Sequence, residues 1–141
     1  MLTTPTDTGS EGGIINGTTD WVYEEELSFV VGFFWSPDSR KIAYYRFDES
    51  AVKEYNMQVW SGLYPFDYRF KYPKAGEANS KVAIEVYSVG DKKKTEMDLG
   101  EESDIYIPRV YWTKDASLLS MIRLNRLQNK LEILHGDVST G

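Results

Sequence analysis

The chain has 141 residues, a net charge of −6 and no cysteine. No basic face can be assembled from such a sequence, which excludes nucleic acid as a partner. The missing thiols exclude disulfides, thiolate nucleophiles and Cys-based zinc sites, and nothing in the sequence calls for a metal or a cofactor. Ten Tyr, six Phe, four Trp and 11 Gly, with Ala scarce, favour strands over helices at a length that suits one domain.

Residues 3–13 are loop by composition. Ile14-Ile15 reads as a short strand and Asn16-Gly17 as a turn. Asp20 can cap a first helical turn by accepting from its free amides, so residues 20–26 are expected to form one. The run from Leu27 to Trp35 lacks polar alternation and predicts a strand buried on both faces. It is far short of a membrane span. Ser36-Pro37-Asp38-Ser39 is a tight turn, residues 40–47 a return strand, and Asp48-Glu49-Ser50 its break. Residues 55–72 differ in kind. Tyr55, Trp60, Tyr64, Phe66, Tyr68 and Phe70 lie along a long hairpin turning at Ser61-Gly62 and punctuated by Tyr72-Pro73-Lys74-Ala75-Gly76. Such an unbroken aromatic arm suits an exposed interface better than a core. Residues 81–89 alternate as a strand, Lys92-Lys93-Lys94 sits in a solvated turn, and residues 95–99 pair back.

Then a pattern returns. Gly32-Phe33-Phe34-Trp35-Ser36-Pro37-Asp38-Ser39 is echoed by Val110-Tyr111-Trp112-Thr113-Lys114-Asp115-Ala116-Ser117, with Trp35 and Trp112 77 residues apart. A β-propeller blade usually repeats at roughly 40–50 residues, and the aromatic arm accounts for the excess as an insertion. A repeated strand, Trp, Ser or Thr, x, Asp, turn and strand marks a blade, a small antiparallel sheet buried by its neighbours. The fold class is therefore all-β. The chain supplies two to three antiparallel blades, a short helical turn and an extended arm. Propellers have about four blades or more, so the chain reads as part of one, with self-association through its open faces as a consequence. Trp35 and Trp112 are read as core, and the lone His135 as structural.

Asp20-Trp21-Val22-Tyr23-Glu24-Glu25-Glu26 gathers four acids and two aromatics. Adjacent carboxylates repel when empty and gain from a bound cation. The plain alternative is a solvated acidic face. A glycosidase would need its two acids about 5–10 Å apart across a cleft, for which neighbours in one turn are poorly placed.

The stretch from Asn16 through Glu26 resembles the propeller of the dipeptidyl peptidase IV branch of the prolyl oligopeptidase family. Trp35-Ser36-Pro37-Asp38-Ser39, Ile42 to Asp48 and Tyr72 to Gly76 fit the same family in the same order. The resemblance runs over nearly the whole chain and is strongest from Asn16 to Gly76. It implies an eight-bladed propeller joined to an α/β-hydrolase domain that removes N-terminal X-Pro or X-Ala dipeptides. It implies that Glu25 and Glu26 hold the substrate's α-amine, while Glu24 is not usually an amine ligand. Asp20, Trp21, Tyr23 and Glu24 then support the turn.

On that resemblance residues 1–13 are a loop, 14–50 a blade part with the acidic turn, 51–76 the arm and 77–141 the following blade strands. The arm implies homodimerisation. The chain contains no Gly-x-Ser-x-Gly elbow, so the triad belongs to chain outside it and this segment alone is expected to be non-catalytic. The alternative is a non-catalytic propeller module for protein interaction. The lack of cysteine fits a bacterial member whose parent protein is periplasmic, on the cell surface or secreted.

Overall fold

A computed structural model describes residues 5–141; the first four residues of the expected N-terminal loop lie outside them. Eleven elements follow in order: β1 (Ile14–Asn16), α1 (Trp21–Glu25), β2 (Phe33–Trp35), β3 (Lys41–Asp48), β4 (Glu54–Val59), β5 (Phe66–Lys71), β6 (Lys81–Ser88), β7 (Lys94–Glu96), β8 (Ile105–Trp112), β9 (Leu118–Asn125) and β10 (Leu131–Asp137). They make three antiparallel sheets. In the first, β3 pairs β6 and β6 pairs β7, while β1 and β2 lie along the free side of β3. The second runs β8-β9-β10, and β4-β5 stands apart as the arm. One four-strand-wide blade, most of another and an inserted hairpin match the architecture expected from the repeat.

The repeat has a local cause. In the first copy the Asp38 carboxylate accepts from the Ser36 hydroxyl at 2.6 Å and from the Arg40 amide at 3.2 Å. In the second, Asp115 accepts from the Ser117 amide and hydroxyl, each at 2.8 Å. Both aspartates thus bind the amide two residues on, the ordinary Asx-turn device, and fix where each hairpin reverses.

The core lies between the two blade sheets. Alternate residues of β3 (Ala43, Tyr45, Phe47) and β6 (Ile84, Val86) meet Ile107, Val110, Leu119 and Met121 from β8 and β9. Alternation is what a strand's period of two dictates. Trp112 packs against this core and its Nε1 donates to the Phe34 carbonyl at 2.9 Å, tying β8 to β2.

The innermost strand is interrupted. Between β1 and β2 the chain leaves the sheet, forms α1 and returns. The exit and re-entry are stitched by the Gly32 amide on the Gly17 carbonyl at 3.1 Å, a Thr18–Val31 bridge, and the Thr18 hydroxyl on the Val30 carbonyl at 2.9 Å. Gly32 is required by space. A methyl carbon there would sit 2.9 Å from the Thr18 carbonyl oxygen and 3.1 Å from Gly17 backbone.

The expected strand over 27–35, buried on both faces, is corrected here. Only Phe33–Trp35 is strand. Ser28 has φ +58°, a left-handed conformation that ends any extended run, and Arg109 holds the turn by donating to the Leu27 carbonyl at 3.1 Å. Val31 is 53% and Trp35 52% exposed. The reading of Trp35 as core fails with it. Phe33 and Trp35 point to the face of the first sheet opposite Phe34, and among the described residues no second sheet covers that face.

Candidate functional site

The acidic turn is fastened from beneath. Asp20 is buried, and its Oδ1 accepts from the Tyr23 amide at 3.0 Å as the helix N-cap. Its Oδ2 accepts from the Ser80 hydroxyl at 2.6 Å, so a side chain 60 residues away holds the cap. Burial raises the Asp20 pKa, with these hydrogen bonds opposing. Tyr23 is buried among Phe29, Tyr45, Phe47 and Tyr106.

The Tyr23 hydroxyl accepts from the Ile107 amide at 2.8 Å, and the Tyr45 hydroxyl donates to the Ile107 carbonyl at 2.9 Å. Ile107 lies where β8 bulges and its register with β9 shifts between Tyr106 and Arg109. Its ladder partners are missing there, and the two tyrosines replace them. Burial pushes both hydroxyls above the ordinary tyrosine range and keeps them protonated.

Glu24, Glu25 and Glu26 are exposed at the end of this anchored turn. Successive helical positions differ by about 100°, so the three diverge. Glu24 and Glu25 line a concavity of about 530 Å³ between the turn and the arm. Glu26 lines a neighbouring one of about 290 Å³, near Lys74 and Arg126. Trp21 lines both. It meets Tyr72 edge-on at 4.4 Å, and Tyr72 continues to Tyr55 at 5.6 Å and Phe70 at 6.2 Å. The acidic turn and the root of the arm are thereby one aromatic cluster.

Beyond that root the arm is open to solvent. Trp60 is 71% and Tyr64 85% exposed, with Phe66 and Tyr68 about half exposed.

The larger concavity also contains residues that sequence reasoning passed over. Thr19, Glu49, Arg69 and Lys71 all line it. By sequence alone Glu49 is only part of the break after a strand. The available signal was an acid directly after the buried stretch of β3, a place where the chain has not yet left the core. The residue is 8% exposed. Burial raises its pKa first, Asp20 adds to the rise, and Lys71 opposes it.

A family model described as the dipeptidyl peptidase IV (DPP IV) N-terminal region matches residues 2–141. The solved structure of dipeptidyl peptidase 4 from Porphyromonas gingivalis is 43% identical and superposes with a TM-score of 0.88, covering 95% of this chain and 19% of that one. Venom dipeptidyl peptidase 4 of Apis mellifera is 32% identical over 92% of this chain and 18% of its own length. A mouse relative named inactive dipeptidyl peptidase 10 is 36% identical over 88% of this chain and 16% of its own length. The chain thus spans less than a fifth of the length of these relatives. With the sheets, the interrupted inner strand and the matched residues in agreement, the chain belongs to the dipeptidyl peptidase IV N-terminal region family.

Proposed function

We propose that this chain is the substrate-amine-binding part of the propeller in a serine exopeptidase that releases X-Pro and X-Ala dipeptides from peptide N-termini, with Glu25 and Glu26 as the amine ligands. One observation carries the reading. Exposed carboxylates stand on a turn whose Asp20 and Tyr23 are fixed in the core, and among the described residues none of Glu24, Glu25 and Glu26 enters an ion pair. Rigid support with uncommitted charge is what a cation site requires.

A peptide α-amine has an unperturbed pKa of roughly 7.7–8.0 and is largely protonated at neutral pH. Its ammonium has three donors, and each charge-assisted bond to a carboxylate contributes about 1.5–3 kcal/mol in a desolvated site. Trp21 lines both the concavity of Glu25 and that of Glu26, and in this reading the ammonium lies beside the indole, shared by the two carboxylates. Anchoring the amine also measures length. An internal peptide lacks the ammonium and leaves the carboxylates unpaired, which selects against it. Glu24, Asp20, Trp21 and Tyr23 hold the turn in this scheme, and the exposed arm serves as a homodimer surface.

The test is kinetic, in the full-length protein that contains this chain. Glu25→Ala or Glu26→Ala should each collapse turnover of dipeptide-releasing substrates, and near-normal kinetics in either would overturn the assignment. A second reading, a non-catalytic propeller for protein interaction, draws support from similarity to a relative named inactive. The reading frame decides between them: Gly-x-Ser-x-Gly followed by Asp and then His supports the enzyme.

A further inference from the structure

The acidic turn is too short to hold its own place. Helix α1 has five residues, far below the roughly 12–15 at which an isolated helix becomes even marginally stable. Where Glu24, Glu25 and Glu26 stand is therefore decided by what the turn is fastened to. Tyr23 is fastened in the core through the Ile107 amide. Trp21 leans on Tyr72. The third fastening is the cap.

The Asp20 carboxylate is committed on both sides. Its Oδ1 serves the Tyr23 amide, inside the turn itself. Its Oδ2 accepts from the Ser80 hydroxyl at 2.6 Å, the length of a charge-assisted O–H···O⁻ bond. Among the described residues Ser80 is the one donor to Asp20 from outside residues 20–23. Asp20 is 5% and Ser80 8% exposed, so no bulk water stands by to replace a lost donor.

Ser80 in turn has no freedom to follow the turn. It directly precedes β6, which pairs with β3 without a break from Lys81 opposite Asp48 to Ser88 opposite Lys41. Its other neighbour, Asn79, donates to the Tyr106 hydroxyl at 2.8 Å. The sheet fixes Ser80, Ser80 fixes the Asp20 carboxylate, and Asp20 fixes the start of the helix that carries the glutamates. The segment returning from the arm thus meets α1 twice, with Tyr72 on Trp21 and Ser80 on Asp20.

We propose that Ser80 is a positioning residue for the amine site: its hydroxyl holds the Asp20 carboxylate and thereby sets where Glu25 and Glu26 meet the substrate ammonium. The inference rests on the amine-binding reading above and adds to it a residue that touches no substrate. Without the hydroxyl, the buried Oδ2 has no outside donor, and tilting the cap toward water is the direct relief. A displacement of about 1 Å at a positioning contact can cost about 100-fold. Tyr23 still anchors the turn, so the loss expected here is smaller, about tenfold.

Steady-state kinetics of the full-length protein on an Ala-Pro anilide test it, beside phosphonylation by a small fluorophosphonate that has no amine. The fluorophosphonate reads the nucleophile and the fold; the anilide also reads the amine site. Ser80→Ala is expected to lower kcat/KM for the anilide about tenfold, chiefly through KM, and to leave the phosphonylation rate unchanged. Ser80→Thr, which keeps the hydroxyl, is expected to retain kcat/KM. An unchanged kcat/KM in Ser80→Ala overturns the proposal. So does an equal loss in both reactions, which marks damage to the fold, or an equal loss in the two variants. Glu25→Ala reads the parent hypothesis separately. If it leaves the anilide kinetics near normal, the amine reading falls and takes this one with it. If it collapses them while Ser80→Ala changes nothing, only the positioning role is refuted.

Discussion

Replacing Tyr23 by Phe removes one oxygen from the core and changes little in volume. The Ile107 amide, buried in the β8 bulge, loses the hydroxyl that accepts it at 2.8 Å. Pro108 follows directly, and the shifted register leaves no β9 partner to take over. A buried donor stripped of its acceptor costs about 1–3 kcal/mol. Because the Tyr23 hydroxyl no longer has to be desolvated, the expected loss is about 2 kcal/mol. With a urea dependence of about 2 kcal/mol per molar, the unfolding midpoint should fall by about 1 M.

Tyr45→Phe is the matched comparison. It orphans the Ile107 carbonyl rather than the amide, and buried carbonyls are under-satisfied more often than amides, so its loss should be smaller. Hydrogen exchange locates the effect: the Ile107 amide should lose protection in Tyr23→Phe before its β8 neighbours do. A midpoint within about 0.3 M of the parent, together with unchanged protection at Ile107, would refute the claim that this hydroxyl replaces a ladder bond.

Two further outcomes follow from the same geometry. Asp20 has its pKa raised by burial from an ordinary 3.8; between its unfolded and folded values the folded state binds more protons, so its contribution is full at low pH and declines as pH rises through the folded pKa. Asp20→Asn keeps a capping side chain and should gain stability relative to the parent as pH is raised from 4 to 7, more so because it also relieves Glu49; a flat or reversed difference in urea melts across that range contradicts the assignment. On the proposed homodimer role of the arm, truncating its surface with Trp60→Ser and Tyr64→Ser, both largely exposed, should shift the full-length protein toward monomer in sedimentation velocity without changing its melting temperature, and an association state that the substitutions leave unaltered removes that role.

The repeat and the cap were legible because their causes are local. Asp38 and Asp115 each bind an amide two residues away, and Asp20 binds one three residues away. A reader of the sequence has all the interacting parts within one window. Ser28 was illegible for the opposite reason. Nothing adjacent demands a left-handed residue there; Arg109, from the other blade, fixes the turn by taking the Leu27 carbonyl. Glu49 was missed on the same grounds. What sets it apart is its burial and the charges of Asp20 and Lys71, which two different stretches of chain contribute.

The two repeated tryptophans show how far local pattern reaches. Trp35 lies opposite Ile42 and Trp112 opposite Leu119, the same place in the two copies. Each points to the side on which a preceding blade would sit. For Trp112 that side holds the first sheet, which covers it and accepts its indole N–H through Phe34. For Trp35 no sheet among the described residues is there, and the residue is half exposed. The pattern therefore specifies a direction, and burial depends on whether something stands in that direction. The same logic applies to the acidic turn. Sequence dictates that three glutamates follow an anchored Tyr23, but which of them share a concavity is decided by the arm and by Glu49, elements whose positions only the folded sheets supply.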